Sequence, residues 1–217
     1  PKKEQIDLKK HDVPQWAILS NGRTLWENQI KAVNAWMNNN CEGIFSVATS
    51  GGKTLAAIVS ANRLSKDVLI VVLVPIKDLA EQWEKEIKKY DPDAETIICD
   101  SDYPEWRERL PKILNKFKSR NEKTEIRNRN YVIATSGSVI ATKKGAEQPT
   151  FLKDFRHIIP ENVMVIGDEV HHYGATKNRR VFEIKAKYRL GLSATHRRSW
   201  DDIGTNAIIN YFGRALS

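Results

Sequence analysis

Cysteine is scarce in this 217-residue chain: Cys41 and Cys99 are the only two, and neither sits in a C-x-x-C or a Cys/His spacing. A disulfide scaffold and a zinc framework are thereby excluded as the basis of the fold, and a reducing, intracellular compartment is the natural expectation. Long apolar runs are also missing. The longest clear one, Val68 to Val74, falls far short of the ~18 to 20 residues of a membrane-spanning helix. No internal repeat occurs, and the chain opens on Pro1-Lys2-Lys3-Glu4 with neither an initiator Met nor a signal-peptide core, so it reads as an excised piece.

What is present is a globular composition, 41% hydrophobic and 29% charged, long enough to bury a real core. Lys and Arg total 35 against 27 Asp and Glu, a formal charge of +8. Such a balance suits a polyanionic partner, and serves equally as solubility charge. Residues 1–13 are charged without a sustained apolar period and read as a flexible lead-in; 14–217 reads as one domain.

Apolar runs alternate along the chain with helical spacings. Gly43 to Val47 predicts a strand; so do Val68 to Val74, Ala94 to Cys99, Tyr131 to Ala134, Val163 to Ile166 and Tyr188 to Leu192. Between them, helices are predicted over Leu25 to Met37 (inner face Ile30, Val33 and either Ala35 or Met37), after Thr54, over Ile76 to Lys89 with Leu79, Trp83 and Ile87 on one stripe, and over Tyr103 to Ser119 with an interruption at Pro111. Pro14 to Leu19 reads as a short extended piece. From 105 to 130, nine basic residues face four acidic ones, a solvated helix face or a nucleic-acid groove. The alternation predicts an α/β fold, a mostly parallel sheet with helices on both faces, and ligands of such sheets bind beyond the carboxyl ends of the strands.

Polar clusters stand at those strand ends. Val47-Ala48-Thr49-Ser50-Gly51-Gly52-Lys53-Thr54 meets the phosphate-loop pattern G-x-x-x-x-G-K-[ST] at Gly52, Lys53 and Thr54, with Val47 in place of the first glycine. Backbone N–H groups from Ser50 through Gly51 to Thr54 would converge on a phosphate at a helix start, Lys53 would reach the terminal phosphates, and the Thr54 hydroxyl would ligate Mg²⁺. An ordinary strand-to-helix turn accounts for G-K-T alone as well. Asp168-Glu169, at the end of another strand, pairs two carboxylates that are costly to desolvate without a partner. With a phosphate loop opposite, Asp168 would hold the metal and Glu169 would orient or deprotonate the attacking water. His171 and His172 suggest no metal site, because no third or fourth ligand accompanies them.

Ala48 to Thr54, Asp168-Glu169-Val170-His171-His172 and Leu192-Ser193-Ala194-Thr195, in that order, resemble motifs I, II and III of superfamily 2 helicases of the DExH type, whose motif I commonly lacks the first glycine. Within that superfamily the chain looks closest to the branch of restriction-enzyme helicase subunits and repair translocases. The resemblance covers about residues 20 to 200 and implies a RecA-like P-loop lobe that uses ATP and Mg²⁺ to move on or unwind nucleic acid, DNA being favoured over RNA. It implies further roles residue by residue. Gln29, in Leu25 to Gln29, would read the adenine edge, although Trp26 stands where the family often has Arg. Pro75 and Lys77 belong to a motif Ia stretch with Ile76 in the usual place of Thr, so a phosphate contact would move to Lys77. Thr135 and Ser138 match the Ib region, where strand-end capping explains them equally well. Ser193 and Thr195 would couple the nucleotide to nucleic acid. After Thr195 the family usually has Pro where this chain has His196; Arg198 agrees with the branch, Ser199 and Trp200 do not. The second RecA-like lobe, with its arginine finger, is not found in this sequence, and a restriction or repair complex is the implied setting. A nucleotide-gated scaffold without motor activity, or a small-molecule P-loop kinase, would use the same phosphate loop; the kinase leaves Ser193 to Thr195 and Gln29 unexplained.

Overall fold

Every residue of Leu69–Val74 (β2) is buried to the point of zero exposure, which is why this stretch is β-branched and apolar without alternation. Leu69, Val71 and Leu73 face one hydrophobic cluster and Ile70, Val72 and Val74 the other. The computed structural model describes residues 15–19, 22–46, 52–65, 67–117, 128–142, 144–195 and 201–216. The expected lead-in over 1–13, the loop residues Val47 to Gly51 with Ser50 among them, the charged run 118–127, and His196 to Trp200 with Arg198 lie outside them.

Around β2 the chain builds a seven-stranded sheet from Glu42–Ser46 (β1), β2, Glu95–Cys99 (β3), Asn130–Thr135 (β4), Val163–Asp168 (β5), Tyr188–Ser193 (β6) and Ala215–Leu216 (β7). Their order across the sheet is β3-β4-β2-β5-β6-β1-β7, and every neighbouring pair is parallel. All carboxyl ends therefore meet at one edge. β6 lies between β1 and β5, so the strand ending in Ser193 separates the strand entering the phosphate loop from the strand ending in Asp168.

Helices cover both faces. Glu27–Asn38 (α1), Lys53–Asn62 (α2) and Lys77–Tyr90 (α3) pack one side through Trp36, Ile58 and Trp83. Trp106–Asn115 (α4), Ser136–Ile140 (α5), Thr150–Phe155 (α6) and Asp202–Phe212 (α7) pack the other through Leu110, Val139, Phe151 and Phe212. Phe212 lies directly on Gly167 and Gly191, which are opposite each other in β5 and β6; a Cβ on Gly167 would come within 2.5 Å of its ring. Among the described residues no helix is long and apolar enough to cross a membrane.

Three local expectations are corrected, and two elements are added to them. Pro111 does not interrupt α4: it removes one N–H from the ladder, but Trp106, Leu110 and Leu114 on the buried face hold the helix through it. The buried face of α1 is completed by Trp36, with Met37 packed half-buried beside it and Ala35 off the face; the indole fills the sheet side and donates to the Arg189 carbonyl at 3.0 Å. Gln15–Ala17 is a 3₁₀ turn, after which Ile18 bridges Thr24 in antiparallel fashion. α7 and β7, which sequence reading leaves unassigned, return the chain to the far edge beside β1.

Candidate active site

The site grows from three strand ends and one helix start. α2 begins right after Gly52, which is left-handed (φ 66°, ψ 37°), a conformation glycine adopts without the steric cost a side chain would add. The first amides of α2, with no partner inside the helix, and its dipole make an anion-favouring spot at Lys53 and Thr54. Gln29, buried in α1, clamps this turn: its Nε2 donates to the Gly52 carbonyl at 3.2 Å while its Oε1 accepts the Trp26 backbone N–H at 2.8 Å. An indole can only donate, so the start of α1 is capped by Gln29 and not by the Trp26 side chain. A Cβ on Gly52 would lie 2.1 Å from Gln29 Nε2. Gly52→Ala is therefore expected to break the clamp and to cost about 2–3 kcal/mol, the left-handed penalty plus one hydrogen bond, measured as a lowered urea midpoint.

Motif II is strained into position. Glu169 follows β5 in left-handed backbone (φ 46°, ψ 56°), unusual for a residue with a long side chain and a mark of sites that over-determine their geometry. Its Oε1 lies 3.3 Å from Lys53 Nζ, an ion pair in which the lysine side chain is only 6% exposed. Its Oε2 lies 3.4 Å from His171 Nδ1, and the same nitrogen is 3.2 Å from Ser193 Oγ. Ser193 Oγ in turn donates to the Thr195 carbonyl at 2.8 Å and accepts the Thr195 N–H at 3.2 Å. A continuous polar path thus runs Lys53, Glu169, His171, Ser193, Thr195. His171 also lies against His172, the rings tilted by 36° with centroids 4.3 Å apart.

Asp168, 8% exposed, accepts the Glu169 N–H on Oδ1 at 3.0 Å and the Trp83 indole N–H on Oδ2 at 2.8 Å. Burial pushes its carboxyl above the usual range, against the Trp83 hydrogen bond, which holds it down. Among the described residues no group of three or more His, Cys, Asp or Glu is placed to cage a metal. A donor set of one buried carboxylate and the Thr54 hydroxyl is what Mg²⁺ uses when it arrives with phosphate oxygens and keeps water, so these residues fit that ion.

The remaining expected residues are dispersed. Lys77, exposed at the start of α3, is paired with Asp102 at 2.5 Å. Thr135 and Ser138 form a cap: the Thr135 hydroxyl donates to Ser138 Oγ at 3.0 Å and accepts the Ser138 N–H at 3.3 Å. Pro75 is half-buried just before α3, beside the exposed Ile76. A cleft of about 320 Å³ beside the phosphate-loop turn is lined by Arg23, Trp26, Gln29, Gly52, Thr54 and Tyr90, among others. Trp83 is the site residue that sequence reading missed. It stood out as a member of an apolar stripe, and nothing in the pattern says that its N–H meets a carboxylate 85 positions away.

A three-layer parallel sheet with these three motifs converging at its carboxyl edge is the N-terminal RecA-like lobe of a superfamily 2 helicase. Residues 23–198 match the family described as "Type III restriction enzyme, res subunit", and the chain belongs to that family. It is 29% identical over 160 residues to the putative DNA 3'-5' helicase Rad25 of Haloarcula marismortui, covering 74% of this chain and 21% of that protein. Its fold is similar to a nuclease-deletion mutant of the type ISP restriction-modification enzyme LlaGI, solved in complex with a DNA substrate mimic (TM-score 0.66, 18% identity, 89% of this chain and 19% of that one). The UvsW helicase of bacteriophage T4 shares it too (TM-score 0.60, 18% identity, 97% of this chain and 68% of that one). The chain thus spans about a fifth of the length of the Rad25 relative.

Proposed function

We propose that this chain is the ATP-binding motor lobe of a helicase or translocase that couples ATP hydrolysis to movement on, or unwinding of, DNA. The observation that carries the reading is the unbroken polar path from Lys53 through Glu169 and His171 to Ser193 and Thr195, which joins a phosphate-loop lysine to the end of β6.

Thr54 and Asp168 would hold Mg²⁺, which would supply neutralisation of the phosphate charge. Lys53, paired with Glu169, has to release that carboxylate to reach the terminal phosphates. The exchange leaves Glu169 free to take a proton from the attacking water. His171 then feels the change of charge on Glu169 directly, Ser193 at the end of β6 feels it through His171, and Thr195 carries it into the segment beyond the strand. Further along the same carboxyl edge, after β2 and β4, Pro75, Lys77, Thr135 and Ser138 are proposed to meet the nucleic-acid backbone. Phosphate contact by Lys77 requires it to leave Asp102, which makes that contact salt-sensitive. Gln29 serves the adenine side by holding Gly52, with the exposed Trp26 ring beside it.

Measuring ATP turnover with single-stranded DNA, duplex DNA and RNA in parallel, at stated salt, tests the reading. The expected result is slow turnover by the 217-residue chain alone and DNA-stimulated turnover once a lobe supplying an arginine finger is joined to it, because such a finger is worth about 10³ to 10⁵ in rate. Robust stimulated ATPase by the chain alone contradicts the two-lobe requirement. Nucleotide-dependent DNA binding without turnover in the joined protein favours a gated scaffold instead.

A further inference from the structure

Three tryptophans in the described residues are essentially fully buried: Trp36, Trp83 and Trp106. Two of them solve the problem of a buried indole N–H in the ordinary way, by donating to a backbone carbonyl, Trp36 to Arg189 at 3.0 Å and Trp106 to Asp100 at 3.1 Å. Trp83 does something else. Its N–H goes to Oδ2 of Asp168 at 2.8 Å, a bond buried on both sides.

Packing alone does not ask for this. Trp83 belongs to the apolar cluster under α3 with Ala80 and Ile87, and a phenyl ring would supply much of the same contact without a polar hydrogen to satisfy. The indole N–H is a donor only, so it cannot itself ligate a cation. With the Glu169 N–H on Oδ1, it gives each oxygen of the carboxylate one hydrogen bond. A carboxylate oxygen has a second lone pair, so both oxygens keep acceptor capacity for a cation while the plane of the group is held by α3. Partners of this kind behind a metal ligand fix its orientation, and their loss typically costs about 10- to 100-fold in metal affinity or activity.

We propose that Trp83 is a positioning residue of the Mg²⁺-nucleotide site, holding the Asp168 carboxylate through its indole N–H so that α3 becomes part of the metal site. The inference rests on the nucleotide reading given above. It also makes α3 a shared element: Lys77 at its start and Trp83 six positions on are separated by about 9 Å of helix rise, so the proposed DNA contact and the metal ligand's support lie on one rigid body.

The test uses the 217-residue chain and a fluorescent ATP analogue, with Mg²⁺ titrated at fixed nucleotide. Trp83→Phe is expected to raise the Mg²⁺ concentration at half-saturation by about 10- to 100-fold, while binding measured in EDTA stays as in the wild type. In an Asp168→Asn background the same replacement should add no further shift. An unchanged Mg²⁺ midpoint in Trp83→Phe overturns the inference and leaves the nucleotide reading standing; a wild-type chain with no Mg²⁺ dependence overturns both. A fall in EDTA binding equal to the fall in Mg²⁺, or an equal shift in the Asp168→Asn background, shows a packing defect and overturns it too. Should Trp83→Phe not fold, the wild-type chain labelled with ¹⁵N-tryptophan answers the same question through its six indole signals. One of them should move when Mg²⁺ joins bound nucleotide and stay still in Asp168→Asn. No such signal overturns the inference.

Discussion

Lys53→Ala is expected to lower ATP turnover in a protein carrying both lobes by at least about 10² to 10³, the loss that follows removal of one pre-organised charge-stabilising donor. The substitution takes away a single ammonium, the one cation that pairs with Glu169 by a lysine or arginine side chain among the described residues. Its side chain is 6% exposed, comes off the first turn of α2, and its nitrogen is 3.3 Å from Glu169. Nucleotide affinity should fall together with turnover, because the lysine is proposed to hold phosphate in the ground state as well as during transfer. The check is a paired measurement of fluorescent-nucleotide binding and phosphate release, with circular dichroism to establish that the fold persists. Wild-type turnover in Lys53→Ala removes the phosphate loop from the mechanism.

Glu169→Gln should separate binding from chemistry. The amide keeps the size and the strained left-handed backbone of the residue but can neither take a proton nor hold Lys53 by charge. Turnover is expected to drop by about 10² to 10⁴, the usual share of a general base. Nucleotide should bind at least as tightly as in the wild type, since Lys53 no longer leaves a carboxylate behind. Rapid-mix phosphate release alongside equilibrium binding reads both quantities. Persistent turnover shows that Glu169 is not the water-activating group.

Much of the fold was legible because β2, β4 and β5 are buried on both faces and so carry long apolar runs, while α3 is amphipathic. The elements that were misread are those where tertiary packing outvotes local preference. Pro111 looks like a break until Leu110 and Leu114 are seen buried beside it. Trp36 could not be chosen over Met37 by spacing alone, because both lie within the tolerance of a 3.6-residue period. α7 has a usable start signal, Asp201, whose side chain accepts the Gly204 N–H at 2.7 Å. Its apolar face only makes sense once Gly167 and Gly191 are known to leave room for Phe212.

For the site, the residue types and their order were legible, and the contacts were not. Lys53, Asp168, Glu169 and Ser193 stand out as polar residues at strand ends. That His171 bridges Glu169 to Ser193, that Gln29 reaches the Gly52 carbonyl, and that Trp83 serves Asp168 are contacts between distant segments, which no periodicity encodes. The Lys77 pair with Asp102 likewise joins a helix start to a loop after β3.

The register of the parallel ladder gives the site its scale. Ser46 sits opposite Ser193, Gly191 opposite Gly167, and Leu192 opposite Asp168, and adjacent strands are held about 4.8 Å apart by their hydrogen bonds. The sheet therefore works as a ruler: the spacing between phosphate loop, relay and carboxylates is counted in fixed ticks, two strand widths from β1 to β5. Slipping β5 by one residue would carry Glu169 about 3.3 Å along the strand and turn the side chains of β5 to the opposite face. Chemistry that tolerates errors of well under an ångström has here been entrusted to backbone hydrogen bonds, which do not depend on which apolar side chains fill the layers above and below.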